Sequence, residues 1–356
     1  MIVLDTELYY FLLLAVLYPG YILISVIRGL KKPAFSSETI YNKNQTDFLK
    51  GICAVAIMLH HFTGKIEHHM LGVVYSVYMN AGYLAVAVFL MISGYCLMLQ
   101  LEKKGRKYLN HFLQRRLLRL YIPFAICTFF VGLLRVENPL EILKNMVTFN
   151  FAIESSGMPN ATWFPIAIIV FSIGFFCAAT WKEGRFVIIG VFLCAAIWTV
   201  LCMMVGVGTW WYNTAIAFPM GVCLCKYRDR VYQCINKHYW SALIGLIMIF
   251  FVTYFIMAIW ESQVILQMIC SSALAFLTWV ICFKVDLNGT IGRWIGKFSF
   301  ELFLIHSAIL EVYYGLEFTD SGWTILLVIL ICLSVAYALN RLSTLILQVE
   351  SRKLER

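Results

Sequence analysis

Apolar residues recur along this chain in blocks of about 20, the length a helix needs to cross a bilayer, with short polar connections between them. Eleven blocks come close to that length: 8–27, 48–65, 79–101, 117–136, 163–181, 186–207, 209–225, 240–260, 264–283, 298–316 and 323–347. The pattern predicts an all-α integral membrane protein with about eleven transmembrane helices. The least distinct boundary is at 206–209, where Gly206 and Gly208 leave almost no loop. The first block follows an acidic leader (Asp5, Glu7) and precedes Arg28, Lys31 and Lys32. That charge order is wrong for a cleaved signal peptide, so the block reads as an anchor.

Basic residues set the orientation. With the N-terminus outside and the C-terminus inside, the inner segments are 28–50, 102–119, 182–185, 226–237, 284–297 and 341–356. These hold all of the 28 Lys and Arg residues except Lys65, Arg135 and Lys144. The outer segments are acidic instead, with Glu67, Glu137, Glu141, Glu154, Glu261, Glu317 and Asp320. The net charge of +9 is therefore a topology signal and gives no reason to invoke nucleic acid. Only 13% of residues are charged, against about 25% in soluble domains, and no polar stretch is long enough for a separate soluble domain. The twelve cysteines fall almost entirely within the apolar blocks and no CxxC occurs, so neither a disulfide nor a structural metal is expected.

Ionisable residues inside a span are costly and mark candidate function. In the second block, Lys50 stands at the inner boundary and His61 follows eleven residues later. His61 is thus about 16 Å deeper and only about 20° away around the helix, whereas His60 is displaced by about 80°. One face carries a cation at the inner mouth and an imidazole near mid-membrane. A neutral imidazole in a poorly hydrated cavity can act as a general base; the alternative is a histidine bonded to a neighbouring helix as packing glue. Further on, Arg115, Arg116 and Arg119 open an apolar helix. Arg116 and Arg119, three residues apart, share a face toward the inner head-group region. Guanidinium pairs suit phosphate, and snorkelling to lipid phosphate is the plainer reading. In the tenth block, Ser299 and His306 are seven apart and line one face with Phe303 between them. Glu301 points elsewhere and needs a partner, Lys297 or an arginine. This face borders a wet cavity or forms a purely structural polar seam.

Taken together, these stretches resemble the acyltransferase-3 family of multi-spanning membrane O-acyltransferases. Lys50 to His61 has the spacing of that family's basic-residue-to-histidine signature, with lysine where arginine is more common. Arg116-Leu-Leu-Arg119, followed by Tyr121 and Pro123, is similar to its Arg-x-x-Arg motif. Phe89 to Tyr95, Thr162-Trp163-Phe164 and Gly296 to His306 resemble three further motif helices, with Phe303 in place of the common tyrosine. The resemblance covers roughly 45–347. It implies a ten-helix acyltransferase core, one extra N-terminal helix with a basic inner linker in 1–44, and a short charged tail at 348–356.

The resemblance also implies chemistry. The co-substrate is acetyl-CoA or a related acyl-CoA, with no permanently bound cofactor, and the acceptor is an envelope polysaccharide or a lipid-linked glycan in the inner membrane of the cell. Arg116 and Arg119, helped by Arg115, would bind the donor's phosphates, and Lys50 would contact a CoA phosphate or bias the imidazole. His61 would act as base or as an acyl-histidine relay. Ser299, Glu301, His306, Trp163 and Glu154 are the cavity or acceptor-side candidates, and the long outer segment 137–161 is expected to shape the acceptor site. A rival is a transporter or flippase for a lipid-linked glycan. It predicts pseudo-symmetric halves, and none are visible. A third reading is a degenerate acyltransferase fold serving as a sensor or scaffold, against which the intact Lys50–His61 and Arg116–Arg119 pairs count.

Overall fold

In the computed structural model, residues 10–30, 36, 39–64, 72–135, 137–148, 163–182, 184–259, 263–315 and 322–354 are described. Among them the regular structure is entirely helical. The helices are α1 (Leu12–Gly29), α2 (Lys43–Thr63), α3 (Val73–Lys104), α4 (Phe112–Leu134), α5 (Pro139–Thr148), α6 (Trp163–Trp181) and α7 (Arg185–Val205). They continue with α8 (Ala217–Lys226), α9 (Arg228–Lys237), α10 (Tyr239–Ile259), α11 (Val264–Ile281), α12 (Thr290–Gly296), α13 (Ser299–Gly315) and α14 (Gly322–Leu354). Eight of these, α1, α3, α4, α6, α7, α10, α11 and α14, contain stretches long and apolar enough to cross a bilayer. The chain is a multi-pass membrane protein.

The helices outside that set are informative. α2 carries Lys43, Asp47 and Lys50 along its first turns, and α13 has 17 residues. Both are interior helices, packed on each other and on their neighbours, so neither needs an all-apolar surface. The block at 209–225 is not one long helix. Gly206 closes α7 at φ 77°, a short 3₁₀ turn occupies Thr209–Trp211, and turns lead to the 10-residue α8. Those turns bury Asn213 and Thr214. The Asn213 amide donates to Gln267 Oε1 on α11 at 3.1 Å, and Ser271 donates to the Asn213 carbonyl. Irregular backbone among apolar helices persists only where protein groups satisfy it in this way.

Small residues set the closest approaches, as expected where dispersion replaces the hydrophobic drive between helices. α2 and α12 touch backbone to backbone: a Cβ on Gly51 would stand 1.9 Å from the Gly292 carbonyl oxygen, and one on Gly296 1.8 Å from that of Asp47. α3 and α8 meet the same way through Gly94 and Gly221. These contacts lock α2 between α3, α12 and α13, and Lys50 and Ser299 come to lie beside one cavity.

Candidate active site

The cavity has a volume of about 290 Å³ and joins residues from α2, α3, α4, α6 and α13. One part is cationic, lined by Lys50, Arg116 and Arg119, with Ser93 and Ser299 beside them. The other is aromatic, lined by Phe89, Phe164, Phe300 and Phe303. Lys50 is half-buried and pairs with Asp47, one turn earlier on α2, at 2.7 Å. Arg116 is held from two sides: its Nη2 donates to Ser93 Oγ on α3 at 2.8 Å, and its Nε donates to Ser172 Oγ on α6 at 3.2 Å. Ser172 in turn donates to the Ile168 carbonyl, which fixes its lone pairs toward the guanidinium. Arg119 is exposed and lines the same cavity.

Arg115 is not brought in. His111 adopts a left-handed conformation (φ 55°) just before α4, and the Arg115 guanidinium turns back to donate to the Asn110 carbonyl. It is exposed and absent from the cavity lining. Of the three arginines that the sequence groups together, Arg116 and Arg119 line the cavity and Arg115 does not.

Beyond the aromatic part lies a cluster of imidazoles. The His61 ring sits 4.9 Å from that of His306 on α13 and 4.8 Å from that of His60. His306 is fully buried, and its Nδ1–H donates to the Leu302 carbonyl at 3.0 Å. With Nδ1–H so engaged, Nε2 is the position left to face the cluster, and among the described residues it has no hydrogen-bond partner. Phe303 separates the two regions, with its ring 4.8 Å from Phe164 and 6.0 Å from His306. Trp163, at the start of α6, packs edge-on against Phe303 at 6.5 Å. α2 and α13 thus run in the same direction, with Lys50 and Ser299 lining one cavity and His61 meeting His306 further along.

Other residues singled out above have partners of their own. Ser299 Oγ donates to the Gly296 carbonyl at 3.1 Å. Glu301 is buried and takes its hydrogen bond from the Asn340 amide of α14 at 3.0 Å; this amide stands where Lys297 or an arginine was expected. Of the outer segment 137–161, residues 149–161, Glu154 among them, lie outside the described residues. Ser93, Ser172, Asp47 and Asn340 carry structural duties at or near the site that the sequence alone did not single out. For Asp47 a signal existed: a carboxylate three residues before Lys50 on a helix is placed to pair with it.

No curated protein matches the chain. No solved structure matches it either. A family model described as an acyltransferase domain matches residues 44–341, which takes in α2 and the cavity, the imidazole cluster and all but the last part of α14. The chain belongs to the acyltransferase-3 family.

Proposed function

We propose that this membrane acyltransferase moves an acetyl or related acyl group from cytoplasmic acyl-CoA to a hydroxyl of an envelope polysaccharide or lipid-linked glycan on the outer side. The single observation that carries this reading is the two-part cavity. Three cations, Lys50, Arg116 and Arg119, gather at one part, and an aromatic wall leads from them toward His61 and His306. A CoA-type donor has the same two parts, an anionic nucleotide and a long thin arm ending in the thioester. The basic residues of the connections support eleven spans in the inner cell membrane with the N-terminus outside, which puts the cationic part on the side where acyl-CoA is made.

In this reading His61 takes the proton of the acceptor hydroxyl as the oxygen attacks the thioester carbonyl. The carbon–sulfur bond breaks, the ester forms, and the imidazolium returns its proton to the CoA thiolate. His306, whose Nδ1–H is engaged with its own helix, presents only a lone pair to this region and so favours a protonated His61 once the proton has moved. Arg116, pre-set by its two serines, meets donor phosphate with little ordering cost.

Chemical analysis of envelope glycans tests this reading. Cells carrying the wild-type protein should hold an O-acyl ester that is missing in cells carrying His61→Ala. An equal ester content in both would remove the proposal.

A further inference from the structure

The N-terminal helix α1 lies outside the family match, and hydropathy alone makes it an anchor. Its contacts make it more than that. Residues Leu12–Leu17 form a π-helical turn, and the Tyr18 N–H bonds to the Leu13 carbonyl. The next residue is Pro19, which has no N–H to give. The Leu14 carbonyl is therefore bypassed by the backbone donors that would reach it in either a continuous α-helix or a π-helix. It is buried, and the Tyr78 hydroxyl of α3 donates to it at 2.8 Å. Tyr18 sets the same region from its own side: its ring lies 6.4 Å from that of Tyr78, and its hydroxyl donates to the Ile52 carbonyl of α2 at 2.7 Å.

The link continues inward. The Tyr78 carbonyl accepts a hydrogen bond from His60 Nδ1–H at 3.0 Å. One turn further along α3, Gly82 leaves room for the ring: a Cβ there would stand 2.6 Å from His60 Cδ2. His60 in turn abuts His61, which also meets His306.

We propose that α1 is a working part of the active site. The Leu14 carbonyl, Tyr78 and His60 form a chain of positioning groups that sets the ring of His61. The proposal rests on His61 being the base. It explains why a proline sits inside an apolar helix and why a histidine facing away from Lys50 is built into the bundle. His60 is on this account a positioning residue, and His60→Ala is more damaging than its distance from the Lys50 face suggests.

The test uses full-length protein in proteoliposomes, acetyl-CoA as donor, envelope glycan from the host cell as acceptor, and release of CoA thiol as readout. Tyr78→Phe removes only the hydroxyl and keeps the ring beside Tyr18. It is expected to lower kcat about tenfold with the KM for acetyl-CoA unchanged, since small misplacements of a catalytic group act on the chemical step. Pro19→Ala supplies the missing N–H to the helix and is expected to give a similar loss. The double variant should be no worse than either single one, because both break the same link. His60→Asn, which keeps a donor for the Tyr78 carbonyl, should be milder than His60→Ala. Wild-type kcat in well-folded Tyr78→Phe and Pro19→Ala protein, with His61→Ala inactive in the same assay, would overturn the positioning chain alone. Activity in His61→Ala would overturn the base assignment and the chain with it. Losses that multiply in the double variant would show two independent structural effects and likewise overturn the chain.

Discussion

The two ends of α2 are built on opposite principles. Around Lys50 the structure is charged and partly open: Lys50 pairs with Asp47, Arg116 hangs between two serines from different helices, and Arg119 is exposed. Around His61 it is a packed cluster of rings, His60 on one side, His306 on the other, and Phe303 between His306 and the cavity. Charges near an opening hold a polyanion and exchange with water. A packed cluster of rings excludes water and fixes direction, as proton transfer at an imidazole requires. On the proposed function, this difference assigns affinity for the donor and the rate of the chemical step to separate residue sets, joined through α2 and Phe303.

Five substitutions sharpen this division. His61→Ala is expected to lower kcat by about 10²–10⁴-fold, the range of general acid–base contributions, while donor affinity stays at the wild-type level; steady-state kinetics with equilibrium donor binding checks both halves. Arg116→Ala should do the reverse. Charge-assisted hydrogen bonds contribute about 1.5–3 kcal/mol, so donor Kd should rise about 10- to 150-fold. Arg116→Lys should rescue this only in part, because it keeps the charge and loses the fork that meets Ser93, Ser172 and phosphate together. Ser93→Ala releases one side of that fork and should raise the donor KM by about 2- to 10-fold, as the loss of about one hydrogen bond. Arg115→Ala should change donor affinity by less than about twofold, because its guanidinium serves the Asn110 carbonyl and surface substitutions of this kind have small effects. A large effect from Arg115→Ala on donor binding would extend the site beyond the described cavity.

Much of the architecture was legible before any coordinates. Periodicity alone placed Lys50 and His61 on one face of one helix, and Ser299, Phe303 and His306 on one face of another. Lys50, Ser299 and Phe303 line the cavity and His61 meets His306 beyond it, because helical geometry relates residues on one element without knowledge of its neighbours. Partnerships between elements were not legible. Arg116 meets Ser93 and Ser172, 23 and 56 residues away, and nothing in its local spacing names either one. Glu301 was expected to find a cation and finds the Asn340 amide. Hydropathy at 209–225 gives one continuous apolar block because it averages over Asn213 and Thr214, whereas Asn213 pairs with α11 and the backbone of both residues stays in turns. α1 was read correctly as an apolar helix, but Pro19 was not recognised as freeing a carbonyl for α3.

The central claim is that the cavity around Arg116 binds the donor and the imidazole cluster performs the transfer. Calorimetric titration of acetyl-CoA into purified His61→Ala and Arg116→Ala protein tests it most directly. Donor binding at wild-type strength in His61→Ala, and weakened about 10- to 150-fold in well-folded Arg116→Ala, is the predicted result. Wild-type donor affinity in Arg116→Ala would contradict it.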